Sequence, residues 1–274
     1  MHVLYGFDDL PPMRNPVATI GSYDGVHAGH RALLGRVVRF AKECGGESVV
    51  ITFAPHPRTV TGTEKERAEL KLLTTLDEKI FLLGQLGIDR LIVVPFTEAF
   101  SRIAPDDFVR DCLVGRLGIR MLVVGYDHRF GRNKEGDFGA LGRLGGEFGF
   151  EIHEVEEQGV DAGRVNSTAI RASIAVGDMA RAARMLGGPY AVIAVPDGRG
   201  SFVSGDRHKL LPPAGIYRVR AAAEVGKNEM LSASKFQSSA EGGGAAHELR
   251  IGADGTMQLD PPAEGTGGIL VAFS

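Results

Sequence analysis

A repeated change of period does most to restrict how this chain can fold. Over the first two thirds, short apolar or β-branched runs alternate with stretches whose apolar residues recur at three and four. "PVATI", "SVVITF", "RLIVVPF", "MLVVGY" and "FEIHEVE" are the short runs, and each reads as a strand. Residues 29–44, 76–86, 105–117 and 137–148 read as helices, with Leu33, Leu34, Val37, Val38 and Ala41 marking the apolar stripe of the first. Strand and helix in alternation predict a parallel sheet covered on both faces, a Rossmann-like α/β fold. "AIRASIAVGDMARAARML" adds two helical pieces broken near Gly177 and Asp178. The pattern stops at Gly187-Gly188-Pro189. Beyond it "AVIAV", "GIYRVRAAAEV", "HELRI", "TMQLD" and "GILVAFS" predict a small antiparallel β domain, with "SASKFQSSAEGGGAAH" as a long loop inside it. The expected division separates residues 1–187 from residues 188–274.

Bulk properties narrow the function classes. The chain has 274 residues, 43% of them hydrophobic, enough to bury a proper core. A net charge of −3 argues against a general nucleic-acid binder, which would carry a basic balance. Cys44 and Cys112 have no metal-like spacing and read as buried thiols of a reducing compartment. No apolar run reaches the roughly 20 residues that span a bilayer, and "MHVLYGFDDLPPMRN" lacks the form of a signal peptide. The expectation is a soluble cytoplasmic protein with no nucleic-acid and no membrane partner. Its oligomeric state is left open.

The stretch "ATIGSYDGVHAGHRALLGRVVRFA" then carries the chemistry. It runs from a strand into a helix, at the sheet edge where open α/β folds bind ligands. The first turn of a helix offers unpaired N–H groups and the positive end of a dipole, both of which favour phosphate. His27 and His30, three apart, can face the same way as donors to a polyphosphate, and Gly25 and Gly29 permit close backbone approach. The third and fourth ligands that zinc requires are not nearby.

"GSYDGVHAGH" resembles the HxGH signature of the nucleotidyltransferase superfamily, in the form typical of the bacterial bifunctional riboflavin kinase/FAD synthetase family. Three more stretches are similar to that family, in its order: "TFAPHPR" (52–58), "VVGYDHRFGRNKEGD" (123–137) and "NSTAIRASIAVGD" (166–178). The likeness covers about residues 15–190. It implies an FMN adenylyltransferase with ATP and FMN as substrates and magnesium as the expected ion, whose protein ligands stay unknown. It also implies a set of site residues. His27, His30, Ser167, Thr168 and Arg171 would stabilise charge on the transferred phosphoryl group. Ser167 and Thr168 would cap the helix that carries Arg171, whose fork suits phosphate oxygens. Gly21, Tyr23, Asp24 and Gly29 would shape the nucleotide loop. His56 and Pro57 would form one wall of the pocket. Gly125, Asp127 and Phe130 would hold the flavin side. Tyr23 stands where the family usually has Phe, His128 stands in a Phe position, and Asn166 replaces a Ser.

The tail departs further. The family's kinase module carries a G-F-P-T-A-N segment for nucleotide and metal. Here only "LPPAGIY" resembles its counterpart, and "HELRI" aligns weakly with the stretch of the kinase's catalytic Glu, which would be Glu248. The resemblance therefore implies a reduced kinase-like β domain without riboflavin kinase activity. Two other functions fit parts of the pattern. One is an adenylyl- or cytidylyltransferase for another phosphorylated substrate; the other is a non-catalytic flavin- or nucleotide-binding regulator.

Overall fold

Six strands build the first sheet: β1 (His2–Tyr5), β2 (Val17–Ile20), β3 (Ser48–Ala54), β4 (Arg90–Pro95), β5 (Met121–Gly125) and β6 (Glu151–Val155). They lie in the order β1-β4-β3-β2-β5-β6, and every pairing is parallel. The coordinates, a computed structural model, describe residues 1–126, 138–155, 165–225, 245–260 and 268–273. Asp127, His128, Phe130 and residues 232–244 of the expected long loop lie outside the described residues.

From β2 the chain fills one side of the sheet with β3 and β4, then crosses to the other side for β5 and β6. The order reverses between β2 and β5, and a crevice outside the carboxyl ends at such a reversal is where open sheets of this kind bind ligands. Gly21 follows β2 and Gly125 ends β5, so two candidate residues stand at the two lips of the switch point.

The helices of the first part are α1 (Ala28–Glu43), α2 (Pro57–Thr61), α3 (Glu64–Glu69), α4 (Leu76–Gln85), α5 (Glu98–Ser101), α6 (Pro105–Asp107) and α7 (Phe138–Phe148); α6 continues as a π-helical stretch over Phe108–Arg116. Alternate strand residues face opposite layers. Val17, Met121 and Val123 meet Val37 and Ala41 of α1. Their neighbours Ala18, Ile20, Leu122 and Val124 meet Phe108 and Leu113 of the π-helical stretch and Leu141 and Leu144 of α7. All four residues of β2 are buried, which is why a central parallel strand reads as a continuous apolar run.

The described chain divides into two compact units. The sheet belongs to the first, which takes Met1–Tyr23, Gly29–Leu70 and the described residues from Leu86 to Val155. The second takes Asp24–Ala28, Lys71–Gln85, and the described residues from Val165 onward. It contains α4, α8 (Ser167–Ala175) and α9 (Met179–Leu186), followed by β7 (Tyr190–Pro196), β8 (Phe202–Ser204), β9 (Gly215–Val225), β10 (Ala245–Ile251), β11 (Met257–Asp260) and β12 (Gly268–Phe273). These six strands close a barrel in the order β10-β11-β8-β7-β12-β9. Leu249, Met257, Val271 and Phe273 fill it, and Ile170, Ile174, Met179 and Leu186 from α8 and α9 share the same core.

Two strands were not expected from sequence. β1 is four residues long and half-buried, and β8 has only three residues set among Gly and Ser. Neither is long enough to establish a period. The helix expected over 105–117 is present, but from Phe108 on its hydrogen bonds follow a wider π pattern.

Candidate active site

The loop between β2 and α1 is held in a conformation that side chains rarely adopt. Tyr23 has φ +46°, Gly25 φ +89° and Val26 φ +43°. A β-branched residue with positive φ is a genuine outlier, of a kind that collects at functional sites. Tyr23 is anchored by a 2.7 Å hydrogen bond shared with Thr19. Burial pushes its phenol well above the ordinary range. The ring lies edge-on to His30, with centroids 5.1 Å apart. Gly21 donates its N–H to the Ile51 carbonyl, and a Cβ there would sit 3.0 Å from the Tyr23 ring. Gly29 and His30 occupy the first turn of α1, both half-buried.

Gly25 also has a packing reason. A Cβ on it would come 2.8 Å from Leu73 Cδ1, so its small size serves packing within the protein, and its amide donates to Thr74 Oγ1 at 3.0 Å. His27 is only 9% exposed. Burial lowers its pKa to about 4, against the opposing pull of the Asp24 charge. At neutral pH it is therefore an uncharged imidazole.

Asp24 is the centre of the second unit's site. Its Oδ1 accepts from the amides of Leu73 and Thr74, both at 2.9 Å, and from Thr74 Oγ1 at 3.3 Å. Its Oδ2 accepts from Arg171 Nη2 in a part-buried ion pair, and its backbone carbonyl accepts from Ser167 Oγ at 3.1 Å. Arg171 Nε donates to the Lys71 carbonyl at 2.7 Å. The Nη1 edge of the guanidinium takes no part in either bond. One residue thus ties the segment carrying His27 to the start of α8.

The cap of α8 corrects the sequence reading. Asn166, not Ser167 or Thr168, is the N-cap, and its side chain accepts from the Ala169 amide at 2.9 Å. Ser167 and Thr168 are the first two residues inside the helix. Ser167 is committed to Asp24, and Thr168 is exposed.

His56 caps α2 through Nδ1, which accepts from the Arg58 amide at 3.2 Å, and Pro57 opens that helix. The residues after "TFAPHP" are therefore helical rather than simply bent. Sequence reasoning passed over three further features. Phe53, Phe96 and Phe100 form a half-buried aromatic cluster at the carboxyl ends of β3 and β4, with centroids 5.4 to 5.9 Å apart. Thr74 supplies two bonds to Asp24. Lys79 is buried, and burial lowers its pKa to about 8 despite the Asp24 charge. "LTTLDEK" carried no motif that would have signalled either.

The family model described as FAD synthetase matches residues 11–169. The chain belongs to the FAD synthetase family. This makes it a member of a nucleotidyltransferase enzyme family. The family match takes in the Gly21–His30 loop, His56, Ser167 and Thr168, and stops just short of Arg171. The chain is 34% identical over 236 residues to the bifunctional riboflavin kinase/FMN adenylyltransferase of Escherichia coli K12, covering 80% of this chain and 72% of that one. It is 32% identical over 216 residues to the Bacillus subtilis protein of the same name, covering 75% and 67%. Among solved structures, a Streptococcus pneumoniae chain described as a macrolide-efflux protein superposes with a TM-score of 0.79. It covers 100% of this chain and 89% of its own at 18% identity, a likeness of fold alone. Among the described residues no helix is long and apolar enough to cross a membrane. Among the same residues no group of three or more His, Cys, Asp or Glu is placed to hold a metal ion.

Proposed function

We propose that this FAD synthetase family chain transfers AMP from ATP to FMN, giving FAD and pyrophosphate. The observation that carries the reading is Asp24, whose carboxylate and carbonyl join the His27 segment to the start of α8. Groups suited to phosphate from two distant motifs meet at one residue.

In the reaction a phosphate oxygen of FMN attacks the α-phosphorus of ATP. The bond from that phosphorus to the bridging oxygen of the β-phosphate breaks, and pyrophosphate leaves with the electron pair. FMN phosphate is already ionised, so no strong general base is needed. Catalysis is then positioning together with stabilisation of charge on the phosphoryl oxygens. His27 contributes a neutral imidazole, and His30 contributes a second imidazole in the first turn of α1. Arg171, held by Asp24 and the Lys71 carbonyl, presents its remaining edge in a fixed plane. Ser167 ties the start of α8 to Asp24, and Thr168 presents an exposed hydroxyl there. Gly21, Tyr23 and Gly29 shape the loop, and His56, Pro57, Gly125, Asp127 and Phe130 are assigned to the flavin and nucleotide walls.

Magnesium needs no protein cage, because it keeps waters and binds substrate phosphates through few carboxylates. The Asp24 carboxylate already accepts four hydrogen bonds, so the described residues do not fit a resident ion. Magnesium enters as part of the nucleotide substrate.

The same reading includes loss of riboflavin kinase activity. Residues 190–217 contain no P-T-A-N sequence. Glu248 lies exposed on β10 between Arg218 and Asp260 of the neighbouring strands, without a phosphate-binding loop in the described residues.

The test incubates the chain with ATP and magnesium and follows flavins by chromatography. FMN is expected to yield FAD, and riboflavin as the sole flavin is expected to yield neither FMN nor FAD. His27→Ala or His30→Ala is expected to slow FAD formation on the order of 10²-fold in a folded protein. No FAD from FMN would sink the transferase reading, and FMN from riboflavin would sink the loss of the kinase.

A further inference from the structure

Lys209 sits in the short run "DRHKLL" between β8 and β9, where sequence suggests a solvated turn. Its side chain is wholly buried. Nζ donates to Glu78 Oε2 at 2.6 Å, to the Leu73 carbonyl at 2.7 Å and to the Ala191 carbonyl at 2.8 Å. It also lies 4.2 Å from the centroid of the Tyr190 ring. All three ammonium protons are used. Glu78 is equally buried, and it accepts from the Thr75 and Ile193 amides at 2.9 Å each. Around this pair the chain pairs like a strand: Leu72 donates to the His208 carbonyl, and Leu210 donates to the Leu72 carbonyl.

The Leu73 carbonyl and the Thr74 amide belong to one peptide group. The carbonyl accepts from the Lys209 ammonium, and the amide donates to the Asp24 carboxylate. A cation at one end and an anion at the other polarise the group in the same sense, which strengthens both hydrogen bonds. We propose that Lys209 is a positioning residue for adenylyl transfer, acting through the Leu73–Thr74 peptide group to fix Asp24 and, through it, Arg171. The proposal rests on the transferase reading above. It gives the barrel a present task. Ala191 and Lys209 come from barrel strand β7 and the loop before β9, and they aim the ammonium at the peptide that orients the site. On this proposal the transferase geometry is built on the barrel.

The test compares the full chain with Lys209→Met/Glu78→Gln, which removes both charges together so that neither is left buried alone. Three quantities are read: the amide proton shift of Thr74 by NMR, kcat for FAD formation, and ATP affinity by calorimetry. The expected result is a cooperatively melting variant in which the Thr74 amide proton moves upfield. Its kcat should fall by tenfold or more and its ATP binding weaken about tenfold, since small misplacements carry losses of this size. A folded variant that moves the Thr74 resonance but keeps wild-type kcat and affinity overturns the proposal. So does one that loses activity with the resonance unmoved. If the wild type binds ATP but makes no FAD, the transferase reading fails alone, and the positioning of an ATP site is judged on affinity. A wild type that does neither overturns both. Should the variant not fold, Lys209→Gln/Glu78→Gln is read in the same way. Failure of both to fold would make Lys209 a requirement of the fold, and the proposal would be wrong.

Discussion

His27 shows how burial sets a residue's chemistry. With a folded pKa near 4 and an ordinary value of 6.5, it binds its proton in the unfolded chain before it does so in the folded one. Between those values the unfolded state holds more protons, so stability rises with pH and is lost as pH falls through that window. A thermal-melt series from pH 7 to pH 4 should therefore show a steeper acid loss for the wild type than for His27→Gln. Direct NMR titration of the ring should give a midpoint near 4. Gly25 belongs to the same loop. Gly25→Ala must place a side chain at φ +89° and 2.8 Å from Leu73 Cδ1. A loss of roughly 1–3 kcal/mol is expected for such backbone and packing strain. A urea midpoint that does not move would show that the loop relaxes without cost.

At the level of elements, α8 depends on its cap. Asn166→Ala removes the acceptor for the Ala169 amide and should lower stability by about 1 kcal/mol, whereas Asn166→Ser should stay close to the wild type. Denaturant titration of the two variants separates them. The cap also shows what could be read from the chain. The hydroxyls of "NST" drew attention to Ser167 and Thr168 because a hydroxyl can cap as well as bind. Only the φ of −147° at Asn166 decides which residue stands outside the helix. The parallel strands were legible because burial on both faces leaves β2, β4 and β5 almost wholly apolar. His27, His30 and Arg171 were legible because they sit in dense motifs at element starts. Lys209 and Thr74 were not, since a single residue in a turn carries no period that reports burial. β8 has three residues, too few to show a period, although it pairs in a local hairpin with β7 and through Phe202 with Met257 of β11.

Across the whole molecule, the core that fills the barrel also covers Ile170, Ile174, Met179 and Leu186, all of which precede residue 188. A chain ending at Gly187 would leave those four side chains without their partners. It is expected to melt without a cooperative transition for α8 and α9 and to form no FAD, which calorimetry and the flavin assay would show directly. Stable, active residues 1–187 would mean that the shared core is dispensable. The long reach of Asp24 also bears on how the protein is made. Its partner Arg171 is synthesised 147 residues later, and Glu78 waits through a further 131 residues for Lys209. At translation speeds of about 5–20 residues per second, the loop between β2 and α1 leaves the ribosome on the order of ten seconds before Arg171 exists to pair with it. The sheet can form on the nascent chain while Asp24 still waits for Arg171, so interrupted synthesis releases molecules that have the six-stranded sheet but not the ion pair on which the proposed transferase site rests.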